Sequence, residues 1–176
     1  MGDYTVTFGG ITNTFTVDTP GWKGRTHLDG WSVEPAGVRG AVSMTTFGGS
    51  VFIDPCSSTG TKVIEATPSS FIDFIAANKH LHAAKPTKVK LAGGDAIQLD
   101  VTADVTPACS SGPEISLWVF RVPVGDFHLN QGQAARFIAA DVGGRTIVLS
   151  IETLDGGDQA KLLASSRSIL DSLKVR

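Results

Sequence analysis

The chain has little cysteine, no long apolar run and no excess of either charge, and each shortage removes a class of function. No stretch approaches the roughly 20 consecutive apolar residues that a membrane-crossing helix needs. Fifteen basic residues against seventeen acidic ones leave a formal net charge of −2. No Lys/Arg cluster concentrates the basic charge; Lys85, Lys88 and Lys90 read as a solvated strand edge. Nucleic-acid binders carry a basic patch or stripe, so nucleic acid is not the expected partner. Also missing are a G-x-S-x-G elbow, a phosphate-binding loop, a dinucleotide fingerprint and an H-E-x-x-H pair. Those gaps count against the well-marked catalytic classes but not against catalysis itself, because triads assemble in space and not in sequence. No cofactor is expected. With no repeat of about 20–50 residues, no low-complexity segment and no linker, a single domain over residues 4–176 is expected.

The first residues, Met1-Gly2-Asp3-Tyr4, carry neither a basic nor an apolar leader. Either the protein stays in the cytosol, or an export or anchoring segment precedes this stretch in a longer chain. The second is the expectation, with anchorage near a membrane by that segment.

What is present is a globular composition, 41% apolar and 18% charged, with 20 glycines. So many glycines favour a fold of short strands and tight turns. Residues 12–17 alternate in polarity and end at Thr19-Pro20-Gly21; residues 30–34 alternate again before Pro35. Strands over 41–47 and 50–54 flank Gly48-Gly49, which predicts a hairpin. A helix is expected from an N-cap at Thr67 with Pro68 in its first turn, placing Phe71, Phe74, Ile75 and Leu81 on one face and ending before Lys85-Pro86. Strands follow over 87–91, 96–101, 114–122, 135–142 and 145–153. The last two meet at Gly143-Gly144, the clearest hairpin signal in the chain. Asp158 can cap a terminal helix with Leu162, Ser166, Ile169, Leu170 and Leu173 on one stripe. Strands, a helix, consecutive strands and a closing helix describe an α+β domain with an antiparallel sheet flanked by helices.

Both cysteines lie where strands give way to loops. Cys56 follows Asp54-Pro55, and Cys109 sits in the polar loop 106–113. A disulfide between them is the expectation, and closing that loop contributes roughly 4 kcal/mol in the chain-entropy model. Such bridges persist in oxidising compartments. The alternatives are two unpaired thiols in a cytosolic protein, or a Cys–His nucleophile pair assembled in space.

Taken in order, several segments resemble a known family: Pro20-Gly21-Trp22, Val51-Phe52-Ile53-Asp54-Pro55-Cys56, Lys90-Leu91-Ala92-Gly93-Gly94, Leu117-Trp118-Val119, the run from Ala135 through Gly143-Gly144 to Val148, and Ser168-Ile169-Leu170-Asp171-Ser172-Leu173. From about Phe15 onward the chain resembles the extracytoplasmic domains of the PsbP-like superfamily, which share a fold with the Ran-binding Mog proteins. In bacteria, especially actinobacteria, such domains often stand outside the membrane behind a lipid anchor or a single transmembrane segment, which implies a secreted or membrane-anchored place outside the cell. The resemblance implies an α/β/α sandwich, an oxidised Cys56–Cys109 pair and an envelope location. It implies no active site, since the family is known for binding and assembly.

The candidate site residues are few. His80 and His82 form an H-x-H pair, but on a helix they point about 200° apart and cannot share a metal; no metal site is expected. Asp141 and Arg145 flank a turn and are placed to form an ion pair. Trp118 reads as core. Trp31, near His27, Asp29 and Glu34, reads first as core or anchor packing, and of the three tryptophans it is the one best placed to line a groove, since small-molecule sites combine apolar walls with a few polar groups. Arg136 and Arg145 are the candidate ligand clamps. Glu114, Asp104 and Asp100 have no spacing that marks them as paired acids, and no catalytic residue is assigned. The expected function is a non-catalytic extracytoplasmic domain that binds a small molecule or an envelope protein. The rivals are an extracytoplasmic hydrolase with an unrecognised site and a cytosolic assembly factor with reduced thiols.

Overall fold

The computed structural model describes residues 1–18, 20–27, 30–56, 59–104, 109, 114–120, 125–154 and 156–176. Along them run β1 (Gly2–Phe8), β2 (Ile11–Val17), β3 (Lys23–His27), β4 (Gly30–Glu34), β5 (Gly40–Phe47), β6 (Ser50–Asp54), β7 (Thr59–Val63), α1 (Pro68–Ala76), β8 (Leu81–Ala83), β9 (Thr87–Leu91), β10 (Gly94–Ala103), β11 (Glu114–Phe120), β12 (Gly125–Asn130), β13 (Ala134–Val142), β14 (Arg145–Thr153), α2 (Gln159–Ser165), α3 (Arg167–Ser172) and β15 (Lys174–Val175). The class is α+β, dominated by antiparallel strands. The loop 106–113 apart from Cys109, residues 121 and 122 of the expected 114–122 strand, and Thr19 lie outside the described residues.

The scaffold is a central sheet in the order β3-β4-β5-β14-β13-β10-β8, with β9 also on β10. Its heart is the β13–β14 hairpin, in register from Ala135↔Glu152 to Val142↔Arg145. Gly143 and Gly144 turn it with φ of +60° and +78°, a pair of left-handed positions that glycine alone enters without cost. The strand period of two sends alternate residues to opposite faces, and here both sets are apolar. Ile138, Ala140, Ile147, Leu149 and Ile151 join one core; Ala135, Phe137, Ala139 and Val148 join the other.

Two apolar faces demand two covers. On the first face lies the three-stranded sheet β1-β2-β15, with Leu162 of α2 and Ile169 of α3 filling the same core. On the second lie α1 and the four-stranded sheet β12-β11-β6-β7. There Phe71 of α1 meets Phe47, Trp118 and Phe137 edge to face, at ring-centre distances of 5.0, 5.1 and 5.8 Å. Trp118 stacks on Phe127 at 4.2 Å, so Trp118 is core as expected. Small sheets supply much of the cover, and the helices are short; a plain helix–sheet–helix sandwich does not describe the arrangement.

Three local expectations are corrected. Gly48-Gly49 does not turn a hairpin: β5 stays in the central sheet while β6 joins the covering one. Gly49, at φ +84°, packs its backbone against Ile64, and its carbonyl accepts the Ile64 N–H at 2.9 Å. Helix α1 has the Thr67 cap, whose Oγ1 accepts the Ser70 N–H, but it stops at Ala76. Asn78 then takes the His80 N–H on its side chain and the Leu81 N–H on its carbonyl, a turn that competes with further helix. Leu81 is buried from β8, not from the helix. The terminal helix is two helices broken at Ser166, whose buried Oγ bonds back to the Leu162 carbonyl at 2.7 Å. Asp158 caps it as expected, accepting from Lys161 N.

Cys56 and Cys109 are joined in a disulfide. It ties the end of β6 to the loop between β10 and β11, within the cover of the second face.

Phe71 is fully buried and touches three other rings. Phe71→Ala is expected to cost about 3–5 kcal/mol, read as a lowered denaturant midpoint at unchanged slope. A loss below about 1 kcal/mol would show that the second core closes without this ring.

Candidate functional site

The first candidate site opens where the β1–β2 hairpin crosses the β3–β4 end of the central sheet. On β2, Ile11, Phe15 and Val17 face inward, and register brings Tyr4 opposite Phe15. On β4, Trp31 and Val33 face the same space. The result is a stair of rings. Tyr4, 43% exposed, stacks on Phe15 at 5.7 Å, and Phe15 stacks on Trp31 at 4.4 Å. Around it lies a largely apolar cleft of about 270 Å³, walled by Tyr4, Val6, Trp22, Trp31 and Val33, with Gly24 and Thr26 of edge strand β3 at its rim. Trp31 is only 1% exposed, so it is at once core and the floor of the groove.

The second candidate lies on the opposite face of the same strands. There the row that is apolar in mid-sheet turns polar: Ser32 and Glu34 on β4, Ser43 and Thr45 on β5, Glu152 on β14. With Asp126 and His128 of β12 they line a cleft of about 270 Å³. Asp126 accepts a 2.6 Å hydrogen bond from Ser116 Oγ, and Ser43 and Ser150 share one at 2.6 Å. Burial pushes the Glu152 carboxyl up to about 8, so near neutral pH it holds its proton and can act as a hydrogen-bond donor.

The candidate residues do not converge. Trp31 lines the aromatic cleft. His27 ends β3 opposite Gly30; its side chain, like Asp29, lies outside the described residues. Arg136 is engaged by Asp100 on the neighbouring strand, with Nε to Oδ1 and Nη2 to Oδ2 both at 2.7 Å, and that hydrogen bonding raises the guanidinium pKa further. Arg145 reaches over the Gly9-Gly10 turn beside a separate hollow with Thr46 and Thr146. The expected Asp141–Arg145 pair gives way to a turn contact, Asp141 Oδ1 accepting the Gly144 N–H at 3.1 Å. His80 and His82 leave the helix altogether. His82 is exposed in β8 and meets Asp104 at 3.1 Å, whereas His80 is buried. Glu114 approaches His128 at 3.9 Å, far in role from Asp100, so the three acids form no pair. Sequence reasoning missed Glu152. Its one signal is a carboxylate one residue from the end of a largely apolar strand, which any solvated strand end also shows.

Glu152 has a measurable consequence. Below its ordinary pKa of 4.5 both folded and unfolded chains hold the proton. Between 4.5 and about 8 the unfolded chain ionises and the folded one does not, so stability falls as pH rises through that window and levels off above it. Glu34, Asp126 and His128 share the cleft. Glu152→Gln is expected to flatten this loss and to gain on the order of 2–4 kcal/mol at pH 8. Chemical denaturation at pH 5 and pH 8 reads it; equal slopes in both proteins would place the carboxyl in contact with water.

No protein family and no curated protein matches this chain. Among solved structures, a protein of Bacteroides thetaiotaomicron superposes with a TM-score of 0.48 at 11% identity, covering 99% of this chain and 48% of its own. The chain thus spans about half the length of that protein. LpqN of Mycobacterium tuberculosis, described as involved in cell envelope biogenesis, superposes with a TM-score of 0.42 at 14% identity, covering 98% of this chain and 90% of its own. At these scores neither neighbour lends this chain a function.

Proposed function

We propose that this chain is a non-catalytic binding domain working outside the cytoplasm, and that its site is the cleft floored by Trp31. The observation that carries the reading is the stair Tyr4–Phe15–Trp31, which leads aromatic surface from solvent to core. Flat apolar groups stack on such rings, and a pair is worth about 0.5–1.5 kcal/mol beyond the area it buries. A small molecule with a planar apolar portion fits that chemistry; an aromatic side chain of an envelope protein is the macromolecular version of the same contact. The Cys56–Cys109 bridge supports the compartment, because structural disulfides persist in oxidising surroundings. The resemblance to PsbP-like domains, with an anchor upstream, belongs to the same reading.

The test is a titration with N-phenyl-1-naphthylamine, an uncharged planar dye that brightens in apolar surroundings. One saturable site is expected. Trp22→Ala, which trims the cleft wall at a half-buried position, is expected to weaken it about tenfold, or ~1.4 kcal/mol. Unsaturable uptake, or equal affinity in the variant, removes this cleft as the site. For the compartment, the chain isolated from its native cells is expected to refuse alkylation before reduction. Two reactive thiols in the folded protein would instead favour the cytosolic assembly reading.

One observation favours a second reading, an extracytoplasmic hydrolase. Glu152 keeps its proton near neutral pH in a cleft shared with Asp126 and His128, and general acids are tuned in this way. Turnover of a chromogenic ester or glycoside that Glu152→Gln abolishes would establish it.

A further inference from the structure

Away from both clefts, His80 sits against the disulfide. Its ring is 3% exposed, and Nε2 lies 3.4 Å from Cys56 Sγ. The two sulfurs and a ring nitrogen of His80 all fall within 4.8 Å of one another. The backbone around His80 and Cys56 is held from several sides. The His80 N–H goes to Asn78 Oδ1 at 2.9 Å, and its carbonyl accepts Asp104 N at 2.9 Å. The Cys56 N–H goes to Asp54 Oδ1 at 3.0 Å, and the neighbouring Pro55 carbonyl accepts Ser116 N at 2.9 Å. A tetrahedral zinc ion, with Zn–N near 2.0 and Zn–S near 2.3 Å, sets nitrogen and sulfur roughly 3.5 Å apart. The His80–Cys56 separation already has that length.

The geometry points to a metal site that the disulfide closes: once an external dithiol opens the bridge, Cys56, Cys109 and His80 hold one thiophilic divalent ion such as Zn²⁺. The dithiol becomes its own disulfide and passes two electrons and two protons to the sulfurs. Ion binding then releases those two protons as the thiols become thiolates. Beside the disulfide, Nε2 donates, since a disulfide sulfur has no hydrogen to give. To ligate the ion, Nε2 presents its lone pair and the ring proton sits on Nδ1. Three protein ligands leave the fourth tetrahedral position to an exchangeable water. Both cysteines are half-buried, not sealed, so a small dithiol has a route to the bridge. Bridge and ion are mutually exclusive, and the redox state of the surroundings selects between them.

The test takes the whole chain, oxidised or reduced with a phosphine that leaves as its oxide, desalted without air and titrated with Co²⁺. Thiolate-to-cobalt charge transfer reports sulfur ligation, and Zn²⁺ uptake is counted against a chromogenic chelator. One ion per reduced chain and none per oxidised chain is expected. His80→Gln is expected to weaken uptake at least tenfold while the disulfide still reforms on oxidation. Cys109→Ser is expected to abolish tight uptake in a chain whose circular dichroism is unchanged. Equal affinity in His80→Gln, uptake by the oxidised chain, or loss of fold on reduction overturns the site.

Discussion

The β13–β14 hairpin is apolar on both faces, and most of the architecture answers that one fact. A strand with a single apolar face can leave the other to water. These two cannot, because Ile147, Leu149 and Ile151 look one way and Val148, Ala135 and Phe137 the other. Each buried aliphatic side chain is worth about 1.5–3 kcal/mol relative to exposure, so leaving either face open costs an amount comparable to a typical domain's whole stability margin. The chain therefore builds two covers from distant segments. The first uses its opening hairpin and closing helices, whose ends meet when β15 pairs β2. The second uses α1 and the sheet of β6, β7, β11 and β12. Extremes of sequence and middle of sequence thus depend on the same hairpin.

That hairpin was also the most legible element, for the same reason. Two β-rich runs around Gly143-Gly144 specify pairing locally, so no distant information is needed. Gly48-Gly49 carries the same local signal and does something else. The difference lies with Ile64, whose N–H takes the Gly49 carbonyl, a partner invisible to any pattern around residue 48. Leu81 shows the complementary failure. Its spacing from Phe71 and Ile75 fits a helix, yet Asn78 ends the helix first, and the same leucine is buried from a strand. Period alone does not separate these cases when the apolar run is short.

The candidate sites lie where the covers run out. Toward the β3 edge the first face is roofed by one hairpin, and the gap between Tyr4, Trp22 and Trp31 remains as a cleft. On the second face, Ser43, Ser150 and Glu152 replace the aliphatic row near β12. The sequence neighbours of Trp31, His27, Asp29 and Glu34, point to a groove, but the groove owes more to Tyr4 and Phe15, which strand register brings to it, and to Trp22, just ahead of β3. Arg136 shows the limit in reverse. An arginine among apolar residues looks like a ligand clamp until Asp100, directly across on β10, takes Nε and Nη2, two of its three guanidinium nitrogens.

His80 and the cysteines extend the same lesson to chemistry. In sequence, His80 belongs with His82, two residues away; in the fold it belongs with Cys56, twenty-four positions upstream. The histidine leaves the helix because Asn78 stops it, and it is held at the bridge because Asp104, at the end of β10, bonds its carbonyl. The central-sheet strand β10 thus also helps to aim the imidazole at a sulfur. A buried polar ring needs a partner, since an unsatisfied one costs about 1–3 kcal/mol. A disulfide sulfur is a weak acceptor and an indifferent partner for it; a metal ion between two thiolates is a strong one. The placement that gives His80 a weak partner at the closed bridge would give it a strong one at the opened bridge.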